Sequence, residues 1–187
     1  KRIEDYEDGF DDRDAYAYFY NECGKLIPEP YSYTEKEVLQ FFLYLSQNLP
    51  ANTENEKIGI YLSALINYSH ATDIYLPVNL IKDPLPLLGY RNKGRTVTID
   101  GNCDGGIGYE MESGKLIIKG NVESDLGDHM KGGEIIIEGN TGVDTGFRML
   151  GGIIRLEGEY ISVDIDNFIG GEIYHKGKLK FKDGKKV

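Results

Sequence analysis

Gly101, Gly120, Gly139, Gly158 and Gly177 follow one another at a constant step of 19 residues. Other positions keep that step. Gly114, Gly133, Gly152 and Gly171 precede short apolar segments, Asn102, Asn121 and Asn140 follow them, and Gly108, Gly127 and Gly146 recur further on. Met111, Met130 and Met149 form another column, continued by Phe168. A unit this short cannot bury its own apolar face, so a fixed period over several copies means that each unit stacks on the next. The apolar segments read Val97-Thr98-Ile99, Leu116-Ile117-Ile118, Ile135-Ile136-Ile137, Ile154-Arg155-Leu156 and Ile173-Tyr174-His175. They are rich in β-branched residues, and alternation sends Val97, Leu116, Ile135, Ile154 and Ile173 inward and the middle residue outward. The predicted fold class is therefore mainly β: a right-handed parallel β-helix, or solenoid, of 19-residue repeats over residues 94–187, with a small N-terminal α-helical region. Coils stacked ~4.8 Å apart give a rod roughly 24 Å long for five coils. The methionine column is expected to fill the interior. A left-handed hexapeptide helix is disfavoured because the period is not a multiple of six, and Gly105 to Tyr109 echoes a calcium-binding nonapeptide without its ligand Asp.

Composition changes along the chain. All but four of the 24 glycines lie at or beyond Gly94, whereas only Tyr109, Tyr160 and Tyr174 of the 14 tyrosines do. With Pro84, Pro86 and Gly89 at the change, the expected domains are 1–84, an acidic, Tyr-rich segment with a helical hairpin, and 85–187, the β-helix. The acidic start is expected to be a solvated arm, with a strand-like alternation at Tyr16, Tyr18 and Tyr20. Thr34 and Glu37 have capping-box spacing ahead of Val38, Phe41, Phe42, Leu45 and Leu49; Thr53 and Glu56 repeat it ahead of Ile58, Tyr61, Leu62, Leu65 and Ile66. Two short helices supply a thin core alone, so they are expected to cover the outward, stacked Ile117 and Ile136, with Leu39, Leu43 and Ile60 facing them.

A net charge of −10 argues against nucleic acid as a partner, and the basic Lys178 to Lys186 tail is read as solvated. No run of 18 apolar residues is present, which argues against a membrane partner. Cys23 and Cys103 are far apart and predict free thiols in a cytoplasmic setting. His70, His129 and His175 have no metal-like spacing to either cysteine, so no catalytic, cofactor-binding or metal residue is assigned and no cofactor is expected. The repeat step does place Asp125 over Asp144 and His129 over Arg148, along an edge with Asp128. The assigned positions are thus structural (Gly101, Gly120, Gly139, Gly158, Gly177, Met111, Met130, Met149), with Ile117 and Ile136 as a candidate interface.

The unit Gly-Gly-Glu-Ile-Ile-Ile-Glu-Gly-Asn-x-Gly-x-x-x-Gly-x-x-Met at 132 to 149 resembles the GXGXG domain, over roughly residues 94–177. That family includes the C-terminal domain of the glutamate synthase large subunit and one of the subunits of formylmethanofuran dehydrogenase. There the β-helix is a scaffold and catalysis lies elsewhere, so the resemblance implies an architectural role and transfers no catalytic residue. The expected function is a non-catalytic structural or protein-interaction module, a subunit or accessory protein of an oxidoreductase complex related to glutamate synthase. The alternative is an enzyme or small-ligand-binding protein with a site at the junction of helices and β-helix, lined by His70, tyrosines and carboxylates. Self-association through an open solenoid end is a third expectation.

Overall fold

The computed structural model describes residues 12–27, 33–49 and 54–187. Its organising element is a sheet with six parallel strands in register: β1 (Asp73–Leu76), β2 (Thr96–Ile99), β3 (Lys115–Ile118), β5 (Glu134–Ile137), β7 (Ile153–Leu156) and β8 (Glu172–His175). A second, two-stranded sheet pairs β4 (Val122–Ser124) with β6 (Thr141–Val143) on another side of the coil. This is the expected parallel solenoid with a 19-residue repeat. Val97, Leu116, Ile135, Ile154 and Ile173 are all buried, as are Met111, Met130, Met149 and Phe168. Between stacked coils the glycines are required because a side chain does not fit. A Cβ on Gly139 would lie 2.3 Å from the Gly120 carbonyl oxygen, and one on Gly133 would meet the Met111 methyl at 2.6 Å. The asparagine column is a ladder in which Asn102 and Asn121 Oδ1 accept the Asn121 and Asn140 amides at 2.9 and 2.8 Å, and Asn140 Oδ1 accepts that of Glu159 at 2.8 Å.

The turn ahead of each methionine is a run of left-handed residues two apart. Gly106, Gly108 and Glu110 have positive φ, and so do Asp125, Gly127 and His129 in the next coil and Asp144, Gly146 and Arg148 in the one after. Alternate amides then point to the neighbouring coil: Gly127 N–H donates to Ile107 O and His129 N–H to Phe147 O. The same pattern occurs at Leu87, Gly89 and Arg91, so a further coil precedes Gly94. Asn92 holds the methionine position there and is buried, its Nδ2 bound to Arg95 O at 2.8 Å and Ser113 O at 3.1 Å. The sheet thus begins at β1, ahead of the composition change at 84–94. Asp73 pairs with Thr96, a 23-residue step, and the longer coil contains a single 3-10 turn at Val78–Leu80.

Three helices close this end. In α2 (Glu35–Asn48) the Thr34–Glu37 capping box is formed in both directions, with Val38 and Phe42 buried. In α3 (Asn55–Tyr68) the N-cap is Glu54, without a side-chain cap bond, and the expected Thr53 lies outside the described residues. The start of the chain differs from expectation. Asp12–Leu26 is a helix, α1, rather than a strand-like solvated arm, and residues 1–11 lie outside the described residues. Its buried Tyr20, Cys23 and Ile27 follow helical spacing, which competed with the Tyr16, Tyr18, Tyr20 alternation; Tyr18 is the exposed member. The helices pack at the end of the rod rather than over Ile117 and Ile136. Gly59, Ser63 and Asn67 lie along one side of α3 and meet the first left-handed turn. A Cβ on Gly59 would strike Pro86 O. Ser63 Oγ shares its proton between Gly59 O and Leu87 O, at 2.8 and 3.1 Å, and accepts Tyr90 N–H at 3.2 Å. Asn67 Nδ2 reaches Tyr90 O and Arg91 O at 3.3 and 3.1 Å, and its Oδ1 accepts Lys93 N–H at 3.0 Å. These bonds pair backbone groups that a bare solenoid end leaves open. α2 lies against β1, and α1 packs on α3. At the other end β8 turns into the antiparallel β9 (Lys178–Lys182), which pairs in turn with β10 (Lys185–Lys186). No helix among the described residues is long and apolar enough to cross a membrane.

Candidate functional site

Two surfaces carry the residues of interest. On the outer face of the main sheet the middle positions align into one stripe: Tyr75, Thr98, Ile117, Ile136, Arg155 and Tyr174, each directly opposite the next. Ile117 and Ile136 are half-buried at its centre. The polar members are held in place. Arg155 lies over the Tyr174 ring at 4.7 Å and bonds Glu134 at 2.6 Å, and Glu134 also pairs with Lys115 at 2.8 Å. Tyr174 Oη donates to Glu172 at 2.8 Å, while Tyr75 donates to Asp100 beneath Lys119.

The second surface is a cleft of about 690 Å³ where the helices meet the left-handed turns. α1 supplies Tyr16, the start of α3 supplies Glu54 and Glu56, and the turns supply Asp104, Tyr109, Asp125, Asp128, His129, Phe147 and Arg148. Asp128 is the anomaly. Rings fill its column in the coils on either side, Tyr90 and Tyr109 before it and Phe147 after it, ahead of an exposed Asp166, yet at this position a carboxyl is 9 % exposed. Its Oδ1 lies 2.5 Å from His129 Nδ1, and His129 Nε2 lies 3.3 Å from Arg13 Nη1. A guanidinium only donates, so Nε2 accepts and the ring proton sits on Nδ1, directed at Asp128. Asp128 lines the cleft, and its one hydrogen bond among the described residues is the contact with His129. Burial, with the charge of Asp125, pushes the Asp128 carboxyl up to about 7 against the pull of Arg148 and Arg13. The His129 ring continues an aromatic stack, 5.5 Å from Tyr109 and 6.1 Å from Phe147. Asp125, His129 and Arg148 all hold positive φ without being glycine, a strain of about 1 kcal/mol or more each.

The sequence placed Asp125, Asp128, His129, Asp144 and Arg148 along one edge, and all but Asp144 line this cleft. It also anticipated tyrosines and carboxylates at a junction site. His70, however, is exposed elsewhere, its amide bound to Tyr33 O. His175 packs edge-on against Tyr160 at the other end of the rod. Cys23 and Cys103 are both buried free thiols, and burial pushes that of Cys103 up to about 12, away from nucleophilic use. Among the described residues no group of three or more His, Cys, Asp or Glu is placed to hold a metal ion. Tyr16 was missed because its helix was read as an arm. No protein-family model matches the chain, and neither does any curated protein.

Proposed function

We propose that this protein is a structural, protein-interaction module, working in the cytoplasm as a subunit or accessory protein of an oxidoreductase complex of the kind that contains GXGXG domains. The observation that carries the reading is the outward stripe, a pre-positioned row of tyrosine, isoleucine and arginine across six strands. Apolar centres flanked by Tyr and Arg suit protein contacts, and side chains already fixed by their neighbours lose little entropy on binding. The resemblance to scaffold domains supports the same reading. Lateral contact is favoured over end-to-end stacking, because α2 covers β1 and the far edge is a two-residue, lysine-bearing strand.

The test is the double variant Ile117→Thr/Ile136→Lys, which keeps residue types suited to an outward sheet position. In extracts of the native cell the wild type is expected to elute well above its 21.0 kDa mass and the variant as a monomer. The purified variant should lose no more than about 1 kcal/mol of stability per site. A wild type that elutes as a monomer, or a variant that stays in the complex, refutes the reading.

A further inference from the structure

The stripe is the middle of three outward columns, and the two beside it carry charge in an order that selects a partner. On β3 and the residue after it the outward positions are Lys115, Ile117 and Lys119; on β5 and the residue after it they are Glu134, Ile136 and Glu138. Strand register sets Lys115 beside Glu134 and Ile117 beside Ile136. Lys119 and Glu138 close the two rows and are exposed. The Lys119 ammonium lies 5.6 Å from the centre of the Tyr75 ring, which keeps it on this face. The centre of the face is therefore a Lys-Ile-Lys row against a Glu-Ile-Glu row, and such a pair of rows complements itself. A two-fold axis parallel to the strands and passing between β3 and β5 lays the Glu-Ile-Glu row of a second copy on the Lys-Ile-Lys row of the first, and the reverse. Isoleucine then meets isoleucine, with opposite charges on both sides. An axis along the rod instead brings Lys115 onto Lys119 and Glu134 onto Glu138, so the charges reject parallel rods. Lys115 and Glu134 are already paired within the chain at 2.8 Å, whereas Lys119 and Glu138 have no ion pair among the described residues. The like-charge meetings, Asp100 with Glu157 and Asp73 with Glu172, fall towards the rim, where Tyr75 donates to Asp100 and Lys182 pairs with Glu172 at 3.0 Å.

We propose that the partner seated on the stripe is a second copy of this chain, packed face to face with its rod antiparallel, on the two-fold axis between β3 and β5. This rests on the stripe being a protein-contact surface and names what it contacts. Six strands ~4.8 Å apart, each offering about five residues at ~3.3 Å, give a face of roughly 400 Å² in plan per copy, near the lower limit for a specific interface. A dissociation constant in the micromolar range is therefore expected, with charge order rather than area fixing the orientation.

Sedimentation equilibrium of the purified full chain, from about 5 to about 300 μM, is the test. The wild type should rise from its 21.0 kDa mass to twice that value. Lys119→Glu and Glu138→Lys each place like charges across the axis and should weaken the dimer at least about tenfold. Both positions are exposed, so the unfolding midpoints of the variants should stay within a few degrees of the wild type. Mixing the two variants restores opposite charges at every meeting, and the equimolar mixture should dimerise within about threefold of the wild type. Should either variant not fold, the swap Lys119→Glu/Glu138→Lys in one chain supplies the check: it should pair with itself and not with wild type. The proposal is overturned by a wild type that remains a monomer throughout, by single variants that dimerise as the wild type does, by a mixture that stays monomeric, or by a swapped chain that pairs with wild type as well as with itself. A purified monomer beside a large species in native extracts removes the second copy alone and leaves the interaction module standing; a monomer in both removes both.

Discussion

At the scale of single residues, Asp128 has the sharpest physical consequence. Its ordinary carboxyl value is 3.8 and its folded value about 7, raised first by burial and then by Asp125. Below pH 4 both the folded and unfolded chains hold the proton and the group is without effect. Between pH 4 and 7 only the folded state still holds it, so stability contributed here falls as pH rises, and above 7 the cost is complete. Three units correspond to a cost on the order of 2 to 4 kcal/mol once relaxation is allowed for. Asparagine keeps an oxygen for the His129 Nδ1–H and removes the ionisation. Asp128→Asn should therefore unfold at a higher temperature than wild type at pH 8, with the two converging at pH 4. Thermal melts at pH 4, 6 and 8 check this, and a parallel offset at all three would show that the burial cost lies elsewhere. The sequence carries only a faint signal for this residue: the 19-residue column runs Tyr90, Tyr109, Asp128, Phe147, Asp166, and its aromatic start becomes visible only once Tyr90 is known to belong to a coil.

At the scale of elements, the strands between the glycines were fully legible, because burial on one face enforces alternation and stacking enforces the 19-residue step. Strand β1 and its coil were not. Gly89-Tyr90 stands 19 residues before Gly108-Tyr109, but the 23-residue step from Asp73 to Thr96 breaks the register upstream, and the prolines there read as a linker. α1 was missed for a related reason: three tyrosines two apart satisfy a strand, while Tyr20, Cys23 and Ile27 satisfy a helix, and the packing against α3 decides the matter. The glycine columns allow a clean comparison of two causes of glycine use. At Gly139 the φ is ordinary and the obstacle is the Gly120 carbonyl, 2.3 Å from any Cβ, so Gly139→Ala must push adjacent coils apart and should cost more than about 3 kcal/mol. At Gly177 the φ is +73° and the surrounding space is open, so Gly177→Ala should cost only the left-handed penalty of about 1 kcal/mol. Denaturant unfolding of the pair measures both. Equal losses would mean that backbone conformation, and not coil contact, governs the glycine columns.

At the scale of the whole molecule, a solenoid is a chain of nearest-neighbour contacts, so its stability depends on how its ends are closed. The two ends here are closed differently. At the N-terminal end α3 bonds the first left-handed turn through Ser63 and Asn67, Tyr20 packs edge-on against Tyr90 at 5.3 Å, and α2 covers β1. At the C-terminal end the cover is the β9–β10 hairpin, in which Phe181 is buried and the lysines project outward. Native-state hydrogen exchange should therefore be graded: slowest for the amides of β3, β5 and β7 that bond from coil to coil, intermediate for α3 and β1, and fastest for β8 to β10. Asn67→Ala gives the gradient a handle. It removes side-chain bonds to Tyr90, Arg91 and Lys93 and leaves their backbone groups unpaired at the seam, a loss on the order of 2 kcal/mol. Protection of α3 and of residues 87–93 should drop in that variant while β5 and β7 keep theirs, because the lost contacts lie at one end and the coils between them transmit only nearest-neighbour effects. Uniform loss of protection along the rod would mean that the molecule opens as a single unit, with the helices belonging to its folding core rather than forming its cap.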